Sequence, residues 1–249
     1  MFMDTHCHIF DEYYEDINNI KDLMDNNGIY AVINNGTDMK SNKEVLDKLN
    51  KYDWMYGAIG IHPEFVEEYS EEDIEYIIKH INDNRVVAIG EIGLDYHYSK
   101  DNKDKQIELF ERQLKIAEEY NKPVIVHSRE ATMDTIECLK KYKVKGVIHS
   151  FSGSLETANI YIKLGFLLGI NGVITFKNCN LKDVIDKIDI NNIVLETDSP
   201  YLTPVPFRGK QNNPSHVHEI ALFISDLKGI DIKELSNCIK KNIGRIFDI

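Results

Sequence analysis

Most features that would place this 249-residue chain in a special class are missing from it. No apolar run approaches the roughly 20 residues needed to cross a bilayer, so no membrane span is expected. The opening Met1-Phe-Met-Asp4 leads straight into an apolar run and does not read as a secretory leader. Cysteine is scarce and scattered: Cys7, Cys138, Cys179 and Cys238 form no Cys-x-x-Cys pair. Two disulfides are arithmetically possible in a secreted chain, but without a leader the thiols are expected to be reduced and the protein cytoplasmic. No Gly/Ser-rich linker, low-complexity tract or fixed-period repeat divides the sequence, so a single domain spanning 1–249 is expected. Positive charge is also short, with 29 Lys and Arg against 41 Asp and Glu and a net charge of −12. That balance excludes non-specific coating of nucleic acid by a basic surface. It leaves room for a nucleic-acid enzyme whose cleft gains its pull on phosphate from bound divalent cations and a few local Arg or Lys. Finally, no G-x-G-x-x-G follows the first apolar run, and Gly90-Glu-Ile-Gly93 has the wrong spacing, which argues against a dinucleotide-binding turn.

What is present is a short apolar run followed by an amphipathic stretch, repeated along the chain. The runs cover 2–6, 30–34, 55–62, 85–90, 123–127, 146–149, 166–170 and 193–196. Between them lie helical patterns such as 104–120, where Ile107, Phe110, Leu114 and Ala117 recur at helical spacing. Ser70 followed by Glu71-Glu-Asp73 reads as a capped helix start, and two more helical patterns near 216–227 and 232–246 close the chain. Runs alternating with helices predict a parallel sheet with right-handed crossovers. An open doubly wound sheet would also alternate, but eight runs is the number that closes a barrel. The predicted fold class is therefore a single TIM-like (β/α)8 barrel, whose typical size of roughly 250 residues this chain matches.

The chemistry-bearing residues fall at matching places. His6 and His8 end the first run, His62 the third, Glu91 the fourth, His127 the fifth, His149 the sixth and Asp198 the eighth. In a barrel those positions converge on the rim where the carboxyl ends of the strands meet. A lone His-x-His is a weak signal. On a strand, however, residues two apart share a face, so His6 and His8 can approach one ion while Cys7 points away. His216 and His218 are also two apart, but they follow Pro214-Ser215 at a helix start, where such residues diverge; they read as surface or capping residues, with a supporting role open to His216. Glu91 follows Val86-Val-Ala-Ile-Gly90, and a carboxylate there is costly to bury unless paired or bound to metal. The plainer readings are an exposed loop acid or an ion pair with Arg129; a carboxylate can also bridge two cations about 3.5–4 Å apart. His127 and His149, each alone, would be ordinary core histidines; their parallel placement on successive runs favours ligation. Asp198 is a candidate metal ligand and acceptor of a proton from attacking water, with Glu196 as its competitor and expected supporter. Arg129, Lys177, Arg208 and Lys210 lie on the same rim loops, where they would suit a phosphate ester. His80 and His97 read as surface residues.

Seven segments together resemble the TatD family of metal-dependent deoxyribonucleases, within the amidohydrolase-like barrels. They are Asp4-Thr-His-Cys-His8, Gly60-Ile-His-Pro63, Gly90-Glu-Ile-Gly-Leu-Asp-Tyr96, Val126-His-Ser-Arg129, His149-Ser-Phe-Ser-Gly153, Leu195-Glu-Thr-Asp-Ser-Pro-Tyr-Leu202 and Pro206-Phe-Arg-Gly-Lys210 with Asn213-Pro214. They span nearly the whole chain in the family's order. The resemblance implies a TIM-like barrel with two divalent ions, one held by His6, His8, Glu91 and Asp198, the other by Glu91, His127 and His149. It places His62 near the scissile phosphate as a substrate-binding or acid/base residue and puts Glu91 where the wider superfamily often carries a modified lysine. Imidazole and carboxylate ligands admit Zn, Mn, Co or Mg. The expected catalytic set is Asp198, Glu91 and His62, with Arg129, Arg208 and Lys210 joining His62 on the substrate. The implied substrate is DNA, single-stranded or at ends, digested in the manner of a 3′–5′ exonuclease, with no protein partner. Two other readings use the same residues: an esterase, lactonase or amidase acting on a small molecule, and a metal-binding protein without turnover.

Overall fold

Each apolar run becomes a strand because most of its residues are buried and polar turns flank it. The computed structural model describes residues 1–97 and 101–249. Its strands are β1 (Phe2–Cys7), β2 (Ile29–Asn35), β3 (Met55–Ile59), β4 (Val86–Asp95), β5 (Val124–Arg129), β6 (Gly146–Ile148), β7 (Phe166–Ile170) and β8 (Ile193–Leu195). All pair in parallel with their sequence neighbours, in the order β1 to β8. The outer ring is α1 (Ile17–Asn26), α2 (Met39–Lys51), α3 (Glu71–His80), α4 (Lys103–Glu119), α5 (Thr132–Leu139), α6 (Leu155–Lys163), α7 (Leu181–Lys187), α8 (Val217–Lys228) and α9 (Ile232–Phe247). The result is the (β/α)8 barrel expected from eight runs, and not an open doubly wound sheet. No helix among the described residues is long and apolar enough to cross a membrane.

Local chemistry sets the helix boundaries. Asp16, Asp38 and Asp231 cap α1, α2 and α9 through side-chain oxygens that accept backbone N–H groups the helix cannot use. Ser70 and Asp73 form the capping box expected at the start of α3. Gly229, at φ 61°, stops α8 in the left-handed region. On α4 the helical stripe Leu109, Phe110, Leu114 and Ala117 packs inward and is buried.

Closure of the ring depends on side chains as well as backbone. The strands β1 and β8 meet through a parallel bridge between Cys7 and Ser199. There the Asp198 N–H donates to His6 O at 2.9 Å and the His8 N–H to Ser199 O at 2.7 Å. One layer below, the backbones separate and the fully buried Asp4 fills the gap, accepting the Thr197 N–H at 3.0 Å on Oδ1 and the Thr197 hydroxyl on Oδ2. Carboxamides do the same where other strands splay apart at the rim. Asn34 clamps both backbone groups of Ile9, Asn42 those of Gly60, Gln113 those of Ile61 and Gln106 those of Asp95.

Strand ends depart from the apolar runs in three places that matter. The fourth strand continues to Asp95, so Glu91 is an interior strand residue and not the residue that ends a strand. The reason is pairing with β5, which holds Ile92 opposite Val126 and continues to Asp95 opposite Arg129. His62 lies three residues beyond the end of β3, and Asp198 three beyond the end of β8. Both nevertheless fall at the carboxyl rim.

Candidate metal centre

Seven side chains meet at that rim. The ring nitrogens His6 Nε2 and His8 Nε2 are 3.2 Å apart. Glu91 Oε2 is 3.3 Å from His6 Nε2 and 3.6 Å from His8 Nε2, while Asp198 Oδ1 is 3.6 Å and 3.5 Å from them. Donors bound at about 2.0–2.2 Å to a four-coordinate ion lie about 3.3–3.6 Å from one another, so the spacing of His6, His8 and Glu91 suits a divalent cation, with Asp198 at similar distances from both histidines. The other oxygen of Glu91 faces a second group. Oε1 is 2.9 Å from His127 Nδ1, 3.6 Å from His62 Nε2 and 3.7 Å from His149 Nε2. Donor atoms of His62, Glu91 and His127 are mutually within 4.8 Å, as are those of His6, His149 and Asp198.

For three of the rings the far side decides which nitrogen carries the proton, whereas the buried Nδ1 of His6 has no hydrogen-bond partner. His8 Nδ1 lies 2.9 Å from the carbonyl of Asn35, which can only accept, so Nε2 keeps its lone pair toward the cluster. His127 Nε2 faces Asp95 Oδ2 at 2.9 Å, leaving Nδ1 for the centre. His149 Nδ1 lies 2.9 Å from Glu196 Oε1, an ion-pair contact off the line a hydrogen bond needs, which turns Nε2 inward. Lone pairs from these imidazoles and from two carboxylates thus point into one small volume. Neutral rings in that arrangement repel the carboxylates; a cation resolves the conflict. Carboxylate or carbonyl groups behind ligating imidazoles are the usual orienting partners at metal sites.

Charge states follow the same geometry. Burial opposes a proton on His127, but Asp95 and Glu91 outweigh it and push its pKa up to about 9. Burial likewise opposes charge on His149, and Glu196, Asp198 and Glu91 overcome it to give about 10. His62 goes the other way, down to about 3, through burial and repulsion from His127. Its Nδ1 accepts the Glu64 N–H at 3.2 Å, so Nε2 carries hydrogen and His62 is a neutral donor toward the cavity. Burial raises the pKa of Asp198, yet His149, His8 and His6 hold it below the ordinary range.

His6, His8, Glu91, His127, His149, Asp198 and His62 are therefore brought together. Cys7 turns away as expected, its Sγ donating to Ile33 O at 3.4 Å. The basic residues separate. Arg129 lines the cavity of about 620 Å³ that opens over the cluster. Arg208 instead lies over the Phe176 ring at 4.1 Å, and Lys210 over Phe207 at 5.9 Å; neither they nor the exposed Lys177 is among the cavity-lining residues. His216 stacks on Phe207 and bonds Asn212 Oδ1 at 2.7 Å; Asn212 in turn holds the carbonyls of Thr197 and Tyr201 on the loop of Asp198. His218 is half-buried and lies outside the cavity lining. His80 pairs with Asp83 and His97 with Glu130 at the periphery. Asp95 and Asp4 are functional neighbours that sequence reasoning left unassigned. Asp95 stands four residues after Glu91, and on a strand an even spacing shares a face.

Glu196 works from beneath: Oε1 accepts the Ser150 N–H at 2.6 Å beside His149. A Cβ on Gly169 of β7 would sit 2.2 Å from Glu196 Oε2, so only glycine leaves room for that carboxylate.

Comparison with known proteins agrees with the geometry. The profile described as "TatD related DNase" matches residues 3–248. A Bacillus subtilis relative named "Uncharacterized metal-dependent hydrolase YabD" is 38% identical, with all of both chains covered. One from Escherichia coli, "Uncharacterized metal-dependent hydrolase YcfH", is 34% identical over all of this chain and 97% of its own length. The crystal structure of YJJV, a TatD homologue from Escherichia coli, superposes with a TM-score of 0.94 at 30% identity, covering 100% of this chain and 98% of that one. A TatD family hydrolase from Entamoeba histolytica gives 0.86 at 26% identity, covering 99% and 97%. The organophosphorus hydrolases, at 13% identity and a TM-score of 0.66, share the barrel alone. With its profile match, its relatives and its fold in agreement, the chain belongs to the TatD related DNase family.

Proposed function

We propose that this protein is a metal-dependent hydrolase that cleaves DNA phosphodiesters, removing nucleotides from single-stranded ends in the 3′–5′ sense. The observation that carries the reading is the convergence of donor lone pairs on both sides of Glu91. His6, His8, Glu91 and Asp198 would hold one divalent ion, and Glu91, His127 and His149 a second. Such ions lower the pKa of a bound water and offset charge on phosphoryl oxygens.

The chain's own groups supply the rest. Asp198 turns Oδ1 to His6, His8 and His149, so Oδ2 is the oxygen available to take the proton of the attacking water. Its depressed pKa keeps it ionised and ready to accept. The Nε2–H of His62 donates a hydrogen bond to a phosphoryl oxygen, a role suited to a ring that stays neutral at physiological pH. Arg129 reaches the cavity and offsets phosphate charge there. Arg208 and Lys210, further out, would meet the strand beyond the cleaved phosphate.

The test is Glu91→Ala. Metal-dependent cleavage of end-labelled single-stranded DNA should fall by at least about a thousandfold while the thermal unfolding curve keeps its cooperativity. Full activity in that variant refutes the bridging role. One observation favours a second reading, action on a small uncharged ester or amide: Glu12, Asp38, Glu44 and Glu64 also line the cavity and repel phosphate. An oligonucleotide and ester panel on the metal-loaded enzyme separates the two.

A further inference from the structure

One wall of the cavity is built from rings, of which only His8 also belongs to the candidate metal centre. His8, Phe10, Tyr13 and Tyr201 close a circuit of ring contacts. Centroids are 6.0 Å apart for His8–Phe10, 6.4 Å for Phe10–Tyr13, 6.0 Å for Tyr13–Tyr201 and 6.4 Å for Tyr201–His8. Phe10 is buried beneath, whereas Tyr201 leaves 51% of its surface to solvent. That exposure is not looseness. The Tyr201 N–H donates to Asp198 O at 2.9 Å, Asn212 donates to its carbonyl at 2.5 Å, and its hydroxyl meets that of Tyr13 at 3.0 Å. An aromatic ring pinned at both ends, with a bare face three residues from Asp198, is a stacking surface fixed against the reacting centre.

We infer that Tyr13 and Tyr201, backed by Phe10, form a subsite for one unpaired nucleobase of the nucleotide whose phosphate is cleaved. The inference rests on the nuclease reading above. Two further observations choose the base over the sugar-phosphate backbone for this wall. Its charged neighbours include the acids Glu12, Asp38 and Glu44; the nearby cations are taken up by them, Lys40 by Glu12 at 3.0 Å and Lys48 by Glu44 at 3.0 Å. A second phosphate would be repelled there, while a base brings no charge. The cavity of about 620 Å³ also suits a single nucleotide better than a duplex, falling in the usual range for small-ligand pockets. Stacking on tyrosine tolerates any base because every base has a π face, so the subsite selects for unpaired ends and not for sequence.

The experiment compares two single-stranded oligonucleotides that differ only in whether the terminal nucleotide carries a base or is abasic. The wild-type, metal-loaded enzyme should prefer the base-bearing end roughly tenfold or more in kcat/KM, mainly through KM, as expected for one stacked base. In the double variant Tyr13→Ala, Tyr201→Ala the ratio should fall to near one, with bound metal per chain unchanged. Tyr13→Phe, Tyr201→Phe, which keeps the rings and removes the hydroxyl contact, should retain the preference. Equal KM for both ends in the wild type, or a preference that survives the alanine pair or is lost in the phenylalanine pair, overturns the subsite. Should the alanine pair not fold, Tyr201→Ala alone reads the same ratio. Failure of the wild type to cut either oligonucleotide overturns the nuclease reading and the subsite with it; base-independent cutting overturns the subsite alone.

Discussion

Single residues in this site are defined by what stands behind them. Asn35 O, Asp95 and Glu196 each occupy the far nitrogen of an imidazole and so decide where its lone pair points. The same contacts predict a pH dependence. In protein stripped of metal, His127 and His149 hold protons up to about pH 9 and about pH 10. A folded pKa raised above the unfolded value of about 6.5 gives stability that is complete below that value and is lost as pH rises through 9 to 10. Ligation requires the neutral rings, so metal binding expels those protons and its affinity rises with pH until about pH 10. Calorimetric titration in buffers of different ionisation enthalpy measures this directly; an enthalpy independent of the buffer would contradict it. The clustered residues proposed as ligands were legible in the sequence because each is a His or acid at the end of an apolar run. Asp95 was not, since its partnership with His127 depends on β4 continuing past Glu91. That continuation is set by pairing with β5, a contact between distant parts of the chain. The substrate cations were harder still: the reach of Arg208 is fixed by its lodging on Phe176, which no spacing encodes.

At the scale of elements, the rim is held by side-chain amides where backbone pairing gives out. Gln113 on α4 is wholly buried and gives both of its polar atoms to Ile61, at 2.8 Å and 3.0 Å, next to His62. Gln113→Ala leaves a buried N–H and C=O unpaired and should lower stability by about 2–3 kcal/mol. Urea denaturation reads this, and a change under about 0.5 kcal/mol would show that water replaces the amide without loss. Eight apolar runs correspond to eight strands because a fully buried parallel strand must be apolar throughout. Their ends shifted by a few residues, as at β3 and β8, because turns and clamps decide where pairing stops. The four amide clamps look like surface polar residues in a linear reading; only the packed helices, and for Asn34 the strand β2, show that they face inward.

For the molecule as a whole, electrostatics would put bound divalent ions in charge of DNA binding on the proposed reading. The net charge is −12, and the cavity lining contains seven acids, Glu12, Asp38, Glu44, Glu64, Glu91, Asp95 and Asp198, against Lys40, Arg129 and, in the stripped protein, the protonated His127 and His149. Single-stranded DNA should therefore bind only when divalent metal is present, and removal of metal should abolish binding as well as turnover. With about two basic groups to displace counterions, the salt dependence should be shallow, with a log–log slope no steeper than about −2. Fluorescence anisotropy across a range of monovalent salt, with and without metal, tests both; tight binding by the stripped protein would reject the scheme.

The seam between β1 and β8 has a bearing on how the protein is made. The bonds that shut the ring, Asp198 to His6 and His8 to Ser199, run through the proposed ligands or their immediate neighbours on the first and last strands and the loops that follow them. Shutting the ring and completing the centre are thus one event, and a chain that has not yet joined its two ends has no place to hold an ion. Any ion bound there acts as a staple across some 190 residues, so the supply of metal would govern how firmly the barrel stays shut.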